Sequence, residues 1–470
     1  MSEPSAWTLV EAAAAIRTKQ VSSRELTEVC LGRIAAHDPQ LKAFIRIDGD
    51  AALTAAEKAD ADLAAGTVRG PLHGVPLAHK DQFERDGQIS TCGSKTRNGV
   101  RSTKTATCLT RLDAAGALDL GTLNMSEFAF HIWGFNRLLG PPHNPWDVDR
   151  IAGASSGGSA AALAARLIFG SIGSDSGGSI RFPAAMSGVV GLLPTHGRLS
   201  RHRMLGSSRT VDAPGPMART VADCAVLLGL LAGPDAADPW SSHHPVADYG
   251  SQLEAPIAGK TIGVVGDALL GKLPPDLRAA YQAAAQTYAA LGASLIEIDL
   301  VDFEPLSALA ALVFASEAAA THARALRTHG DDMEPQIRER LLQGFAYPAA
   351  AYIEAVNARA NRTRSFVNEV YANAEILLLP SVPDVAPRLA DVVAGTPPIA
   401  TPLEPGYFMR AINYLGLPAL AVPCGFSGEG LPMGFQLVGR PFAEGTLLNF
   451  GHVFQCETDF HKKIPNGFDV

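Results

Sequence analysis

Lysine is scarce in this chain: ten lysines stand against 29 arginines among 470 residues, so a lysine inside an apolar segment needs a reason. Cysteine is scarcer still. The six cysteines (Cys30, Cys92, Cys108, Cys224, Cys424, Cys456) form no C-x-x-C pair and no metal-ligand spacing, which argues against a disulfide framework and against zinc. Histidines such as His196, His202, His243, His244 and His452 show no such spacing either, so no metal or other cofactor is expected. There is no excess of positive charge: 39 basic against 47 acidic side chains leave −8, no footing for nucleic acid or anionic lipid. The longest uncharged apolar stretches, Cys224–Gly233 and Leu306–Ala315 among them, run about ten residues, short of the roughly 18–20 that a spanning helix needs. No membrane span is expected. The first residues lack the basic and apolar regions of a secretory leader, and a cytoplasmic address follows as the expectation. What the chain does have is 47% hydrophobic and only 18% charged residues, enough to bury a large core and to exclude intrinsic disorder.

The pattern along the chain alternates helix and strand. Capping boxes at Thr8-Leu-Val-Glu11 and Ser22-Ser-Arg-Glu25 open two helices, the second ending at Asp38-Pro39. A strand over Phe44–Ile47, an alanine-rich helix from Asp50 to Ala65 and a strand over Gly74–Lys80 follow. Ala117–Leu120 and Ile168–Ser174 read as strands, Met125–Phe130 as the start of a short helix, and Ser159–Arg166 as a helix launched from a glycine-rich turn. Strand Thr261–Val265, helix Pro275–Ala290 and strand Ser294–Ile298 form a βαβ unit that predicts parallel pairing. Residues 303–373 carry mainly helical periodicity. The strand Ile376–Leu379, a Pro-rich loop through Pro405, strands near Ala419–Val422 and Phe435–Val438 and a helix near Leu447–Cys456 complete the chain, with Gly233–Pro245 as a long surface loop.

Three segments can carry chemistry. In Gly153-Ala154-Ser155-Ser156-Gly157-Gly158-Ser159, the glycines allow close backbone approach and a helix begins just after, as in a phosphate cradle. No lysine precedes a Ser/Thr there as a P-loop requires. The same residues fit G-x-S-x-G, which would make Ser155 the nucleophile of an α/β-hydrolase-type esterase. That elbow needs a strand before it, and Asn144–Arg150 reads as loop. In Gly173-Ser174-Asp175-Ser176-Gly177-Gly178-Ser179-Ile180-Arg181, the N–H groups of Ser176, Gly177, Gly178 and Ser179 can form a nest for an oxyanion, with Ser179 placed to attack. Asp175 and Arg181 are expected to form an ion pair that braces this turn. Lys80 closes Gly74-Val-Pro-Leu-Ala-His79-Lys80-Asp81. At a reference pKa of about 10.4 only roughly 1 in 2,500 lysines is neutral at pH 7, and burial at a strand end would favour the neutral, basic form. Pairing with Asp81 is the structural alternative. His79 points to the other strand face, as packing or pocket wall.

Taken together, these motifs resemble the amidase signature family. The likeness runs from about residue 8 to 460 and includes Gly121-Thr-Leu-Asn-Met125-Ser-Glu-Phe128, Asn144-Pro145, Leu415–Pro423 and Leu431–Gly439. It implies one α/β/α sandwich spanning 1–470, with a large twisted mixed sheet of about eleven strands flanked by helices, and a helical specificity region over about 303–373. It further implies Ser179 as nucleophile, Ser155 as the bridging serine on a cis peptide bond, Lys80 as base, and a homodimer. The activity so implied is hydrolysis of a carboxamide C–N bond through an acyl-Ser179 ester, without cofactor. Met125, Phe128, Phe130 and Trp133 near the expected acyl pocket suggest a small apolar or aryl amide. An amidotransferase subunit of the same family is the alternative, from which Phe128–Phe135 and Pro405–Phe408 depart.

Overall fold

The computed structural model describes residues 3–300, 303–395 and 401–469. Thirteen strands occur among them in chain order: β1 (Phe44–Ile47), β2 (Pro76–Lys80), β3 (Leu118–Leu123), β4 (His143–Asn144), β5 (Asp147–Ile151), β6 (Ser171–Asp175), β7 (Val190–Leu193), β8 (Ala213–Ala218), β9 (Thr261–Val264), β10 (Ser294–Glu297), β11 (Ile376–Pro380), β12 (Ala419–Phe426) and β13 (Pro432–Val438). Eight of them form one mixed sheet in the order β10-β9-β11-β13-β12-β7-β8-β6, three form a second sheet β1-β3-β2, and β4 and β5 form a hairpin. The expected eleven-stranded sheet is therefore divided into eight and three. Where β2 runs beside β6, the Ile172 N–H donates to the ring Nδ1 of His79 at 3.2 Å, a side-chain link in place of a backbone ladder.

Neighbouring residues of β13 show how helices cover both faces, because successive side chains on a strand point to opposite sides. Phe435 packs against Tyr288 and Phe454, on the helices Pro275–Ala290 and Glu444–Glu457. Gln436 instead meets Arg181 and the carbonyl of Phe408, on Arg181–Ser187 and Tyr407–Leu415. Outside the second face lie the helices Phe303–His329, Pro335–Gly344 and Ala349–Val370. The helical stretch Phe303–Asp332, which begins with the first of these helices, is long and apolar enough to cross a membrane by length and composition, which a search for uncharged runs overlooks because its charges are spaced. In this structure that first helix packs against Tyr407–Leu415, Pro335–Gly344 and Ala349–Val370.

Both capping boxes form, and the βαβ unit pairs in parallel. Other expectations are corrected. The second helix passes through Pro39 to Leu41 and ends on left-handed Lys42, since a proline near a helix end removes only one internal hydrogen bond. Met125–Phe130 contains a short 3-10 turn over Glu127–Ala129, with Phe128 and Ala129 at φ of 52° and 58°. Asn144–Arg150 belongs mostly to the β4–β5 hairpin. Strand β8 escaped notice because Pro214 and Pro216 argue against an internal strand. Part of the Pro-rich loop before Pro405, residues 396–400, lies outside the described residues.

Candidate active site

Lys80 ends β2 with 1% of its surface exposed. Burial pushes its pKa down to about 7, against the opposing pull of Cys92, Asp175 and Asp212. Its Nζ lies 2.7 Å from Ser155 Oγ and 2.8 Å from Ser174 Oγ. Pairing with Asp81 does not occur: that carboxylate accepts the N–H of Thr91 at 2.9 Å and the Thr91 hydroxyl. Ser174 donates its own proton to Gln82 Oε1, while Gln82 Nε2 donates to the Leu205 carbonyl at 2.8 Å. With the Gln82 amide so oriented, Ser174 can only accept from Lys80. One Lys80 N–H is thereby spoken for, and a neutral Lys80 can turn its lone pair toward Ser155. Sequence reading missed Ser174 and Gln82; Gln82 lies in the turn just beyond the end of β2, where strand periodicity does not mark it.

Ser155 follows a cis peptide bond from Ala154, as the family resemblance implies. Two glycines make room for this turn. Gly153 has φ of 81°, and a Cβ there would lie 2.8 Å from Pro183 Cα. Gly158, in the first turn of the helix Gly157–Ala164, packs so closely that a Cβ would lie 2.5 Å from the Ala43 carbonyl and the Asn124 backbone. The Ser156 N–H donates to the Ser179 carbonyl at 3.1 Å, joining the first glycine-rich turn to the second.

Asp175, at the end of β6, organises the second turn. Its carboxylate accepts the N–H of Gly178 at 2.6 Å and of Ile180 at 3.1 Å, Asn413 Nδ2 at 2.9 Å and Arg181 Nε at 3.0 Å. Asp175 and Arg181 are both fully buried. Burial pushes the Asp175 pKa up, but the Arg181 guanidinium and these donors outweigh it and hold the carboxyl below its usual range. The Gly178 N–H, expected in an oxyanion nest, is consumed by Asp175. Among the described residues, the N–H groups of Ser176, Gly177 and Ser179 have no hydrogen-bond acceptor.

A cavity of about 340 Å³ opens over Ser176, Gly177 and Ser179. Of the four residues expected to line it, Phe130 does, beside Phe314 with ring centroids 4.9 Å apart. Met125 and Phe128 do not: they are buried in a cluster with Ala318, Met333, Ile337 and Leu341. The left-handed backbone at Phe128 turns its ring onto His322, centroids 4.1 Å apart. Trp133 lines a separate small pocket with Phe182. The remaining wall is mostly small and apolar, with Ala129, Ile132, Ala310, Ala311 and Ala315, but it also holds three charged side chains, Arg340, Glu404 and Arg410, which the sequence reading did not anticipate. Arg340 lies 5.2 Å from the Phe130 ring centroid, and Arg410 pairs with Glu404 at 2.6 Å. The Arg410 stem covers Gly177, 3.4 Å from where a Cβ would stand. Among the described residues no group of His, Cys, Asp and Glu is arranged to hold a metal ion.

The Amidase family model matches residues 25–448. The chain belongs to the amidase signature family. A glutamyl-tRNA(Gln) amidotransferase subunit of Halorhodospira halophila is 39% identical to this amidase-signature enzyme, over 98% of this chain and 99% of its own length. Among solved structures, a member of a vestigial complex described in connection with the origins of an s-triazine catabolic enzyme superposes with a TM-score of 0.88 at 35% identity, covering 96% of this chain and 98% of that one. The peptide amidase of Stenotrophomonas maltophilia superposes with a TM-score of 0.86 at 30% identity, over 98% of this chain and 99% of its own. As a member of this family the enzyme acts on carbon–nitrogen bonds.

Proposed function

We propose that the enzyme cleaves a carboxamide through an acyl-Ser179 ester, and that the contact of Lys80 Nζ with Ser155 Oγ at 2.7 Å carries this reading. Neutral Lys80 takes the Ser155 proton as Ser155 takes that of Ser179, and Ser179 Oγ bonds to the amide carbon. The N–H groups of Ser176, Gly177 and Ser179 hold the resulting oxyanion. As the C–N bond breaks, the proton on Lys80 returns through Ser155 to the departing nitrogen. Water, deprotonated along the same path, then hydrolyses the ester and frees Ser179. Ser155 is wholly buried against Lys80 and does not line the cavity, which counts against its use as an esterase nucleophile.

The substrate reading shifts from an apolar or aryl amide to a small carboxamide that carries its own carboxylate. Two guanidiniums, Arg340 and Arg410, face the cavity with one carboxylate, Glu404, a positive balance that an anionic group would neutralise. The 39% identity to an amidotransferase subunit supports a role in which this chain liberates the amide nitrogen beside partner subunits, in place of the expected homodimer. We take residues 1–470 as one unit, with the helices over 303–373 setting specificity from above the cavity. A stand-alone amidase is the second reading, supported by the similarity to peptide amidase and by the Phe130–Phe314 wall.

Ammonia release by the purified chain from L-glutamine and from benzamide, together with fluorophosphonate labelling and peptide mapping, tests the proposal. The label is expected on Ser179 and turnover is expected to favour glutamine. A label on Ser155 would overturn the mechanism, and faster turnover of benzamide would overturn the anionic substrate.

A further inference from the structure

The turn over Ser176–Ser179 is fastened unevenly. Asp175 holds its later part through the N–H groups of Gly178 and Ile180. Its first part meets a different carboxylate, Asp212, just before β8. Asp212 and Ser176 have 1% and 6% of their surfaces exposed. Asp212 Oδ2 accepts the N–H groups of Ser207 at 2.7 Å and Ser208 at 2.9 Å. In the antiparallel pairing of β6 with β8, Asp175 stands opposite Ala213, and the same register carried one residue further sets Ser176 opposite Asp212, yet neither Ser176 Oγ nor Asp212 Oδ1 completes a hydrogen bond in this structure. Burial pushes the Asp212 pKa up, against the opposing pull of Ser176, Ser207 and Ser208. A buried carboxylate oxygen without a donor is costly, and a Ser176 hydroxyl turned toward Oδ1 would supply one.

We propose that Asp212 is a positioning residue for acyl transfer: its Oδ1 accepts the Ser176 hydroxyl and so holds the Ser176 and Gly177 N–H groups toward the developing oxyanion. This rests on the acyl-Ser179 reading. The glycines at 177 and 178 leave the turn without side chains of its own to stiffen it, so the two flanking carboxylates supply the rigidity that oxyanion stabilisation requires. The far side of Asp212 is anchored in turn. Glu317, on the helix Phe303–His329, accepts the Ser208 hydroxyl, the Thr210 N–H at 3.1 Å and the Tyr352 hydroxyl at 2.8 Å. Ser207 Oγ donates to the Phe128 carbonyl at 2.7 Å. The loop that carries Asp212 is thus clamped by the helical layer that also walls the cavity.

The rate of Ser179 phosphonylation by a fluorophosphonate, followed by intact-protein mass spectrometry, reads the turn directly and needs no knowledge of the natural amide. Ser176→Ala and Asp212→Asn are each expected to slow labelling by about tenfold or more. The double variant is expected to be no slower than the slower single, because both remove one interaction. Ser176→Thr, which keeps the hydroxyl, is expected to restore labelling to within about threefold and to melt as wild type does, whereas Ser176→Ala, which leaves Asp212 Oδ1 without its donor, is expected to melt somewhat lower. A purely structural Asp212 would leave Ser176→Ala labelled at the wild-type rate, and that result, or losses that multiply in the double variant, would overturn the proposal. Should Asp212→Asn fail to fold, the Ser176→Ala and Ser176→Thr pair decides by the same criteria. Wild-type chain that takes no label would overturn the acyl-Ser179 reading and this proposal with it, whereas labelled wild type with an unaffected Ser176→Ala would overturn this proposal alone.

Discussion

Lys80 Nζ and Ser174 Oγ lie 2.8 Å apart, with the Ser174 proton turned away to Gln82. Lys80 therefore meets an acceptor on one side and Ser155 on the other. The arrangement orients a neutral amine as well as shielding it, and both properties bear on how fast it can take a proton.

The pH dependence follows from burial of Lys80. Its pKa is pushed down to about 7, and the neutral form is the one that accepts a proton. Activity should rise about tenfold per pH unit below about 7 and level off above it. A profile of kcat/KM against pH measures this. An acid limb centred near the ordinary lysine value would show that Lys80 is not the base.

Ser174→Ala removes the acceptor that orients Lys80. It should lower kcat by about tenfold, a part of the 10²–10⁴ that general-base catalysis supplies, with KM little changed. Steady-state kinetics with the folded variant would detect it. A change confined to KM would place Ser174 in substrate binding instead.

Arg181 is fully buried and donates to Asp175, Gln436, Asn413 and the Met409 carbonyl. Replacing it with methionine leaves the Asp175 charge without its cation. Urea unfolding of Arg181→Met should show a loss of about 3–5 kcal/mol, together with slower labelling of Ser179 as the turn loosens. Stability equal to wild type would mean that Asn413 and the backbone N–H groups suffice.

Arg340→Ala and Arg410→Ala test the charged wall. Each should raise KM for glutamine by about tenfold, the scale of one charge-assisted hydrogen bond, and leave that for a neutral amide nearly unchanged. Equal effects on both substrates would point to packing against Phe130 and Gly177.

Gly158→Ala places a methyl group 2.5 Å from the Ala43 carbonyl and the Asn124 backbone. Because backbone on both sides must move, a loss of about 1–3 kcal/mol is expected. Thermal melting checks it, and an unchanged midpoint would show that the helix Gly157–Ala164 can shift.

Much of this site was legible in advance where the signal is local. Thr8-Leu-Val-Glu11 and Ser22-Ser-Arg-Glu25 cap their helices because each box is closed by residues three apart. Asp175 and Arg181 find each other because only a tight turn separates them. The reading failed where distant elements meet. Phe128 looked like a pocket residue until a left-handed backbone directed its ring at His322, 194 positions later. Pro214 and Pro216 argued against a strand that two neighbours nevertheless pair with.

Which reactive groups the enzyme possesses, and the turns and strand end that present them, were settled within short stretches of chain, since glycine placement and residue spacing act through immediate neighbours. How those groups behave was settled by folding. The Lys80 pKa falls to about 7 and Ser174 becomes an acceptor only when segments 92 and 94 positions apart exclude water and supply partners, whereas the Gly178 N–H is withdrawn from the nest by a carboxylate three residues before it. Desolvation, and the competition that turns Ser174 into an acceptor, are properties of that assembled interior, and no segment of the chain contains them alone.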